Sequence, residues 1–373
     1  MIYFFIIDNG KTIGGGDYAQ FKFAEGLVML GHEVTIFAAN YNSFFSELKT
    51  LPKFRIIIRN ELPRTVKGFG LLNSIWDFLF TKIEVERQIR KNKPDYIIGY
   101  LRNSAIKAVN LGKKYKIKTV NFIFENPEWM KRTLGDRFLE EYNGKFKDSW
   151  VKTKLAYLET DILFPNSKLT RKECETWLNK KVEKPIYPGI EIPEINVGKE
   201  NQIIYVGRLN AYKNIDLIIK ALSTIKNAPK FVIVGTGEEE TSLKKLASEL
   251  NVNAEFKGSL NDTDKFKEIK KSLFMVFPSS FEGFGMPPGE ALASGIPCIC
   301  SDIPILKEIY ADKVEYFKEH DVDDLAKQIQ NLIKKPAYCK KRGIEGNKYI
   351  KEKYSWEKSA KRIDEILMVR QIV

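Results

Sequence analysis

The segment from Phe274 to Ala293 reads FMVFPSSFEGFGMPPGEALA and contains the elements that decide the fold. It opens on a short apolar run, Phe274–Phe277, that is typical of a buried β-strand. Glycines at positions 283 and 285 then allow a tight turn and a close approach of backbone amides to a ligand. The prolines at 287 and 288 suit the first turn of a helix, where a missing N–H group costs little. The segment therefore predicts a strand, a glycine turn and a helix whose N-terminus favours anionic groups.

Two carboxylates flank this turn: Glu282 lies on the loop, and we expect Glu290 to lie in the first turn of the helix. Carboxylate oxygens accept hydrogen bonds from hydroxyl groups, so the pair suits a polyol such as a sugar. Taken singly, a loop glutamate is typically solvated, and a glutamate near a helix start is typically a cap. Their joint presence around one glycine turn favours a binding site.

Short apolar strands alternate with helical patterns through both halves of the chain, which predicts two α/β domains with doubly wound parallel sheets. Ligands of such sheets bind at the C-terminal ends of the strands. Pro and Gly cluster between Pro185 and Glu200 and predict a linker there. The expected domains are residues 1–193 and 194–355, followed by a helical pattern from Trp356. The predicted strands are Ile2–Ile7, Glu33–Ala38, Ile56–Ile58, Tyr96–Tyr100, Thr119–Phe124, Ile162–Pro165, Ile203–Val206, Phe231–Val234, Ala254–Lys257, Phe274–Phe277 and Pro297–Ser301.

Composition argues against several classes of protein. With 43% hydrophobic and 29% charged residues, the chain is typical of a globular protein. It has neither an apolar run of the ~18 residues that a membrane span needs nor a signal-peptide pattern, so we expect a cytoplasmic location. Two histidines and four cysteines without paired short spacings make a metal site or a Ser-His-Asp hydrolase improbable. The acidic run at 321–324 is interpreted as a helix cap.

The formal net charge of +13 fits an anionic partner and equally fits an ordinary lysine-rich surface. Residues 68–90 combine large apolar side chains with a basic tail. This pattern is typical both of a helix lying on an anionic membrane surface and of a core helix with a solvated end. Peripheral contact with the inner face of a membrane is therefore one of two open interpretations of this segment.

The segment around the two glutamates resembles the E-x7-E signature of family 4 retaining glycosyltransferases (GT4, glycosyl transferases group 1). The resemblance is close over about residues 200–310. In the first half it is looser, resting on Gly14-Gly15-Gly16 and on YPGI at 187–190. The other matching stretches are YVGRL at 205–209 with Lys213-Asn214 after it, VGTG at 234–237, PSSFEGFG at 278–285 and EALASGIP at 290–297.

The resemblance implies the GT-B fold, in which two Rossmann-like domains face each other across a cleft. The N-terminal domain would bind the acceptor and the C-terminal domain a UDP-, GDP- or ADP-linked sugar. A final helix, over about residues 356–373, would cross back to the first domain. The implied substrates are therefore a nucleotide sugar and a glycan, lipid-linked or other hydroxyl acceptor.

The resemblance also assigns roles to residues of the C-terminal domain. Arg208 and Lys213 would bind the donor diphosphate, one as a planar fork and the other as a point charge. Glu290 would accept hydrogen bonds from the ribose, and Glu282 would contact the donor sugar and be catalytic with the two cations. The backbone positions implied in donor binding are Gly283, Phe284, Gly285 and Met286 on the glycine turn, and Gly207, Gly235 and Gly237 on the neighbouring turns.

In the first domain, the loop of Gly14, Gly15 and Gly16 would approach the phosphate or the acceptor, unless it is a plain strand-to-helix turn. Many family members also carry a histidine near the reacting sugar. The matching stretch here, FIFENP at 122–127, has none. We expect Glu125 or Asn126 to line the acceptor side, with an ordinary Asn-Pro turn as the alternative.

A second departure lies directly before the second glutamate. The family usually has a Val- or Leu-like residue there, and this chain has Gly289. We expect the smaller residue to widen the nucleotide pocket.

The implied mechanism retains the anomeric configuration without a protein nucleophile, because the leaving diphosphate itself takes the acceptor's proton. Neither a metal nor a cofactor is expected. Rival interpretations are a nucleotide-sugar epimerase or phosphorylase-like enzyme, a nicotinamide dehydrogenase and a nucleic-acid-binding protein. Gly14-Gly15-Gly16 does not match G-x-G-x-x-G, which argues against the dehydrogenase. No nucleic-acid motif accompanies the basic charge, so we expect no nucleic-acid partner.

Overall fold

The computed structural model describes residues 1–7, 14–40, 51–60, 69–135 and 147–372. Contacts divide the chain into two compact units. The first is built from 1–127, 144–189 and 356–373, and the second from 128–143 and 190–355.

The sheet of the first unit has the strand order β3-β2-β1-β4-β5-β6, and its strands are all parallel. This is the order of a dinucleotide-binding doubly wound domain. The strands are β1 (Ile2–Ile7), β2 (Glu33–Ala38), β3 (Phe54–Ile58), β4 (Tyr96–Gly99), β5 (Lys118–Ile123) and β6 (Ile162–Pro165).

Helices of the first unit follow the strands in alternation, as parallel crossovers require. Between the second and third of them lies a π-helical turn, Thr81–Val85. The helices are α1 (Gly15–Met29), α2 (Phe69–Phe80), α3 (Glu86–Lys91), α4 (Arg102–Tyr115), α6 (Lys147–Glu159), α7 (Lys168–Leu178) and the C-terminal α15 (Trp356–Ile372). Helix α5 (Pro127–Leu134), which comes between α4 and α6 in sequence, belongs to the second unit except for its first residue. Of the helices in the described ranges, none is long and apolar enough to cross a membrane.

The second unit repeats the same winding. Its sheet has the order β12-β11-β10-β7-β8-β9, which is again 3-2-1-4-5-6 when its strands are numbered from the first. The strands are β7 (Gln202–Val206), β8 (Lys230–Val234), β9 (Ala254–Gly258), β10 (Met275–Phe277), β11 (Cys298–Ser301) and β12 (Glu315–Phe317). The helices are α8 (Ile215–Ser223), α9 (Glu240–Glu249), α10 (Asp262–Lys271), α11 (Met286–Ala293), α12 (Pro304–Tyr310), α13 (Val322–Ile333) and α14 (Pro336–Lys353), with a 3-10 turn at Ala211–Lys213.

These strand orders fix where ligands can bind. In each sheet the order reverses between two adjacent strands, β1 and β4 in the first unit and β7 and β10 in the second. Loops after such a pair diverge to opposite faces and leave a crevice at the C-terminal edge. In the second unit that edge lies just after Val206 and Phe277, where the glycine turns begin.

Most of the predicted strands are confirmed within one or two residues, and residues 181–200 contain no helix or strand, as a linker would. Three details differ from prediction. Gly15 and Gly16 form the first turn of α1 and not a separate loop. Glu290 is the fifth residue of α11, one turn further in than expected. The edge strand β12 was not predicted, since its three residues are too few to show a period.

The C-terminal helix α15 is held in the first unit by close packing against α1. An ideal Cβ atom built on Gly26 would lie 2.4 Å from the Cβ atom of Ala360. The Tyr96 hydroxyl at the centre of the sheet donates to the Leu367 carbonyl at 2.8 Å. Glycine at position 26 thus allows the two helices to approach closely.

We predict that Gly26→Ala lowers the thermal unfolding temperature, although alanine is the better helix former by about 1 kcal/mol. The added methyl group must displace α15, and overpacking of this kind costs about 1–3 kcal/mol. The double variant with Ala360→Gly should recover stability relative to Gly26→Ala, because the clash is then gone. A higher unfolding temperature for Gly26→Ala alone would contradict the packing.

Candidate active site

Two turns of the second unit carry the predicted donor residues, and both follow strands at the reversal point of its sheet. β7 is followed directly by Gly207 and Arg208, and β10 by the turn that leads into α11. β7 and β10 pair with each other, so the turns that follow them lie side by side. The sheet therefore brings together two segments that are about 70 residues apart in sequence.

An ion pair joins the two turns. Lys213 Nζ lies 2.5 Å from Glu282 Oε1. The lysine is only 7% exposed, and its ammonium group also lies 4.7 Å from the centre of the Tyr212 ring, within range of a cation–π contact. Burial makes each of these charges depend on the other, since a buried charge without its partner is strongly destabilising. Two residues that the sequence assigned to different parts of the donor are thus in direct contact.

Hydrogen bonds around the pair fix both turns. Asn214 adopts a left-handed backbone conformation (φ 51°) and directs its amide nitrogen to the Pro278 carbonyl at 3.0 Å and to Ser280 Oγ at 2.7 Å. The Ser280 amide donates to the Tyr212 carbonyl at 3.0 Å, and its hydroxyl lies 3.2 Å from His320 Nε2. The ion pair is therefore held by a frame of short polar contacts.

Arg208 is exposed at the end of β7, with Nη2 donating to the Tyr212 hydroxyl at 3.0 Å. Its backbone carbonyl accepts from the buried Tyr205 hydroxyl at 2.9 Å. Burial, reinforced by the charge of Glu282, raises the pKa of Tyr205 above its ordinary value, so this hydroxyl keeps its proton and its donor role. The guanidinium group is thus anchored at the surface of the site.

Glycines let the turns after β7 and β8 touch through their backbones. A Cβ atom on Gly235 would lie 1.9 Å from the Gly207 carbonyl oxygen, and one on Gly237 would lie 2.4 Å from the Leu209 carbonyl oxygen. The Gly207 amide donates to the carbonyl of Val234 at the end of β8, and the Leu209 amide to the carbonyl of Thr236 on the turn, at 3.0 Å each. Packing alone therefore requires glycine at 235 and 237.

The glycine turn before α11 is held by one tyrosine. Gly285 has a positive φ of 81° and caps the helix. The Tyr310 hydroxyl donates to the Gly285 carbonyl and accepts from the Gly289 amide at 3.0 Å. On the same turn, Phe284 is buried with its ring edge-on to Tyr354 at 5.7 Å, while Gly283 and Met286 are partly exposed. The turn is therefore rigid where it meets the core and open on its other side.

Gly289 does not widen a pocket, contrary to the expectation from sequence. A Cβ atom there would lie 2.8 Å from Ile190 Cδ1 and 3.0 Å from the Tyr310 hydroxyl. The space that a larger residue would need is filled by Ile190 and Tyr310. The departure from the family pattern is thus compensated by packing on the inner face of α11.

Glu290 forms a second buried ion pair, which sequence reasoning missed. Its Oε1 atom lies 2.8 Å from Lys265 Nζ, and Lys265 also lies 2.9 Å from Asp262. Burial lowers the pKa of Lys265, but the charges and hydrogen bonds of Glu290 and Asp262 outweigh it and raise that pKa above its ordinary value. Lys265 sits on α10, 25 positions before Glu290, so nothing in the local motif points to it.

In the first unit, the glycine segment serves the start of α1. The Gly14 amide donates to Asp17 Oδ2 at 3.0 Å, and Asp17 also accepts from the Tyr100 hydroxyl. A Cβ atom on Gly16 would lie 3.2 Å from the Phe124 ring. These contacts account for Gly14 and Gly16 as a helix start packed against the ends of β4 and β5.

Glu125 and Asn126, the predicted acceptor residues, differ in their surroundings. Asn126 is 1% exposed and lies beside the buried Cys174 thiol, whose pKa is raised chiefly by burial. Glu125 is partly exposed just after β5. Of this pair, only Glu125 therefore reaches the surface of the first unit.

The two histidines lie in different units. His32 Nε2 is 2.7 Å from Asp364 on α15, and His320 contacts Ser280 beside the ion pair. Within the described ranges, no three His, Cys, Asp or Glu side chains group as metal ligands would.

Comparisons with known proteins identify this arrangement. Residues 190–349 match the family described as glycosyl transferases group 1. An uncharacterized glycosyltransferase of Haemophilus influenzae is 26% identical over 354 residues, which cover 89% of this chain and 90% of that protein. The N-acetylgalactosamine-N,N'-diacetylbacillosaminyl-diphospho-undecaprenol 4-alpha-N-acetylgalactosaminyltransferase of Campylobacter jejuni is 32% identical over 159 residues, 40% of this chain and 43% of that enzyme.

The fold is also that of solved glycosyltransferase structures. HepE of Anabaena, crystallised in complex with UDP, superposes with a TM-score of 0.76 at 14% identity, over 99% of this chain and 100% of that one. At this identity the likeness shows the fold alone. The comparisons therefore assign residues 190–349 to the group 1 glycosyltransferases and show that the chain has the GT-B fold.

Proposed function

We propose that the enzyme transfers a sugar, with retention of configuration, from a nucleoside diphosphate sugar to a hydroxyl of a glycan or lipid-linked acceptor. The observation that carries the proposal is the placing of two lysine–glutamate pairs, Lys213–Glu282 and Lys265–Glu290, around the turns that follow β7 and β10. Carboxylates accept hydrogen bonds from sugar hydroxyls, and cations attract phosphate. The crevice at the ends of these strands would therefore offer carboxylates to the sugar hydroxyls and cations to the diphosphate.

The diphosphate of the donor would bind near the end of β7. Arg208 is exposed there, and Lys213 lies on the adjoining 3-10 turn. The N-terminus of α11 adds backbone amides from Gly285 and Met286 that are suited to anionic oxygens. A bound diphosphate would give Lys213 a second anion beside Glu282, and the sugar's hydroxyls would give Glu282 new donors. UDP is one candidate, because HepE of the same fold was crystallised with it; GDP and ADP are the others.

In the proposed step, the bond between the anomeric carbon and the β-phosphate oxygen breaks while the acceptor oxygen bonds to that carbon on the same face. The acceptor's proton passes to the departing phosphate oxygen. The protein positions the reactants and stabilises the charge that grows on the diphosphate. We propose that Arg208, Lys213 and the helix N-terminus supply this charge, so that the reaction needs no metal or cofactor.

The acceptor would meet the first unit, through Gly14, Gly15 and Gly16 at the start of α1 and through Glu125, the partly exposed member of the predicted pair. A lipid-linked acceptor is supported by the C. jejuni relative, whose name contains a diphospho-undecaprenol. We accordingly propose residues 1–193 with the helix from 356 as the acceptor domain, and residues 194–355 as the donor domain.

The proposal predicts micromolar binding of one nucleoside diphosphate among UDP, GDP and ADP, unaffected by EDTA and weakened at least tenfold by Glu290→Ala. Loss of the carboxylate removes the proposed partner of the ribose hydroxyls. Calorimetry of the full chain measures this, with Glu249→Ala, an exposed glutamate on α9, as the matched control. NAD and a random oligonucleotide test the rival classes. Binding of either of these, with no diphosphate bound, would falsify the donor site.

We further predict that Lys213→Met weakens the diphosphate far more than the parent nucleoside, and lowers transfer by about 10²–10³-fold. The reason is that Lys213 would contact phosphate and not the base. Because the substitution leaves Glu282 buried without its cation, thermal unfolding should be recorded, and Lys213→Met/Glu282→Gln serves as the neutral control. Equal losses for nucleoside and diphosphate in a folded variant would exclude a phosphate role. Product analysis separates transfer from epimerisation.

A further inference from the structure

One face of the first unit is both apolar and basic. It is formed by the exposed side chains between residues 72 and 93, on α2, the π turn and α3, and is called the α2–α3 face below. Its apolar members are Leu72, Ile75, Trp76, Phe78, Leu79 and Ile83. Its basic members are Lys82, Arg87, Arg90, Lys91 and Lys93.

The apolar members are exposed well beyond what a core helix allows. Phe78 is 60% exposed, Ile83 63% and Ile75 47%. Positions 72, 75, 76, 79 and 83 recur at intervals of three and four residues, so they lie along one side of the helix. Contiguous exposed apolar surface of this kind marks an interaction site. The described residues of the first unit leave this side of the helix exposed, which argues against its interpretation as a core helix.

The side chain of Trp76 is held at this face by hydrogen bonds. Its Nε1 atom donates to the backbone carbonyls of Arg59 at 3.3 Å and Asn60 at 3.2 Å, while 40% of the side chain stays exposed. The polar end of the indole is therefore satisfied within the protein and its ring is presented outward. An aromatic ring held at a surface in this way suits the boundary between water and an apolar phase.

The three acidic residues of the same segment all pair within the fold. Asp77 lies 2.7 Å from Lys107 on α4, and Glu84 accepts from Gln88 at 2.8 Å and from Arg87 at 3.0 Å. Glu86 is 6% exposed, accepts from the Tyr115 hydroxyl at 2.6 Å and lies 3.1 Å from Arg90. Two of the five basic members are thus paired, whereas Lys82, Lys91 and Lys93 have no carboxylate within ion-pair distance among the described residues.

We propose that the α2–α3 face docks in the plane of a lipid bilayer that carries anionic headgroups. The apolar side chains would enter the headgroup–acyl boundary, and the five basic residues would contact the anionic headgroups. A protein partner would need a surface that is acidic and apolar at the same place. An anionic bilayer has negatively charged headgroups and apolar acyl chains over its whole surface. The proposal goes beyond sugar transfer and does not depend on it.

The test is co-sedimentation of the full chain with vesicles, either of phosphatidylcholine alone or with 30 mol% phosphatidylglycerol. Wild type should bind the anionic vesicles at least tenfold more tightly than the neutral ones, and less tightly as salt rises. Ile75→Ser/Ile83→Ser should weaken binding at least tenfold, and Lys91→Gln/Lys93→Gln several-fold. Ile344→Ser, 63% exposed on α14 of the second unit, is the matched control and should bind as wild type does.

A second readout locates the contact. Brominated lipids should quench part of the tryptophan fluorescence, and Trp76→Phe should remove that part. Nucleotide binding by the variants should equal that of wild type, which separates failure of docking from failure of the donor site. The proposal is overturned if wild type does not bind anionic vesicles, or if the serine variant binds them as tightly as wild type does. Self-association that the serine variant abolishes, without vesicle binding, would assign the face to a second copy of the chain.

Discussion

The ion pair between Lys213 and Glu282 is the contact on which the site depends. It joins the turn after β7 to the turn after β10, and so ties the two sides of the crevice to each other. A buried ion pair usually adds little to the stability of a fold, because a protein with apolar residues of similar volume at the same positions is often as stable. What the pair gives instead is a fixed position for a cation and a carboxylate at the reversal point of the sheet, held by the contacts of Asn214 and Ser280.

Both carboxylates of the E-x7-E segment have a lysine within 2.8 Å, which gives the two glutamates a common electrostatic setting. Each carboxylate is oriented by its lysine. A ligand whose hydroxyls donate to these carboxylates would therefore bind to groups already in place, so less ordering is needed on binding. Arg208, exposed at the rim, adds positive charge and donates to the Tyr212 hydroxyl.

Sequence alone was sufficient for those parts of the structure that repeat or are local. All strands except the short edge strand β12, and the glycine turns, follow from apolar runs and from glycine placement. The sequence was insufficient where the surroundings of a residue depend on side chains that are distant in sequence. Lys265 reaches Glu290 from another helix, Ile190 and Tyr310 fill the space beside Gly289, and Asn126 turns inward to Cys174. None of these contacts can be predicted from the residues next to it in sequence.

Helix α2 is a further case in which the sequence pattern does not predict the surroundings of the side chains. Its apolar spacing is that of any amphipathic helix, so the pattern predicts a buried stripe without saying what buries it. None of the described residues of the first unit covers this stripe, and the neighbouring carboxylates pair with Lys107, Lys114, Arg87 and Arg90. These pairs leave Lys82, Lys91 and Lys93 to set the charge of the exposed surface. An apolar stripe and a set of exposed lysines on one face are together a more specific signal than either is alone, because a core helix needs neither to be exposed.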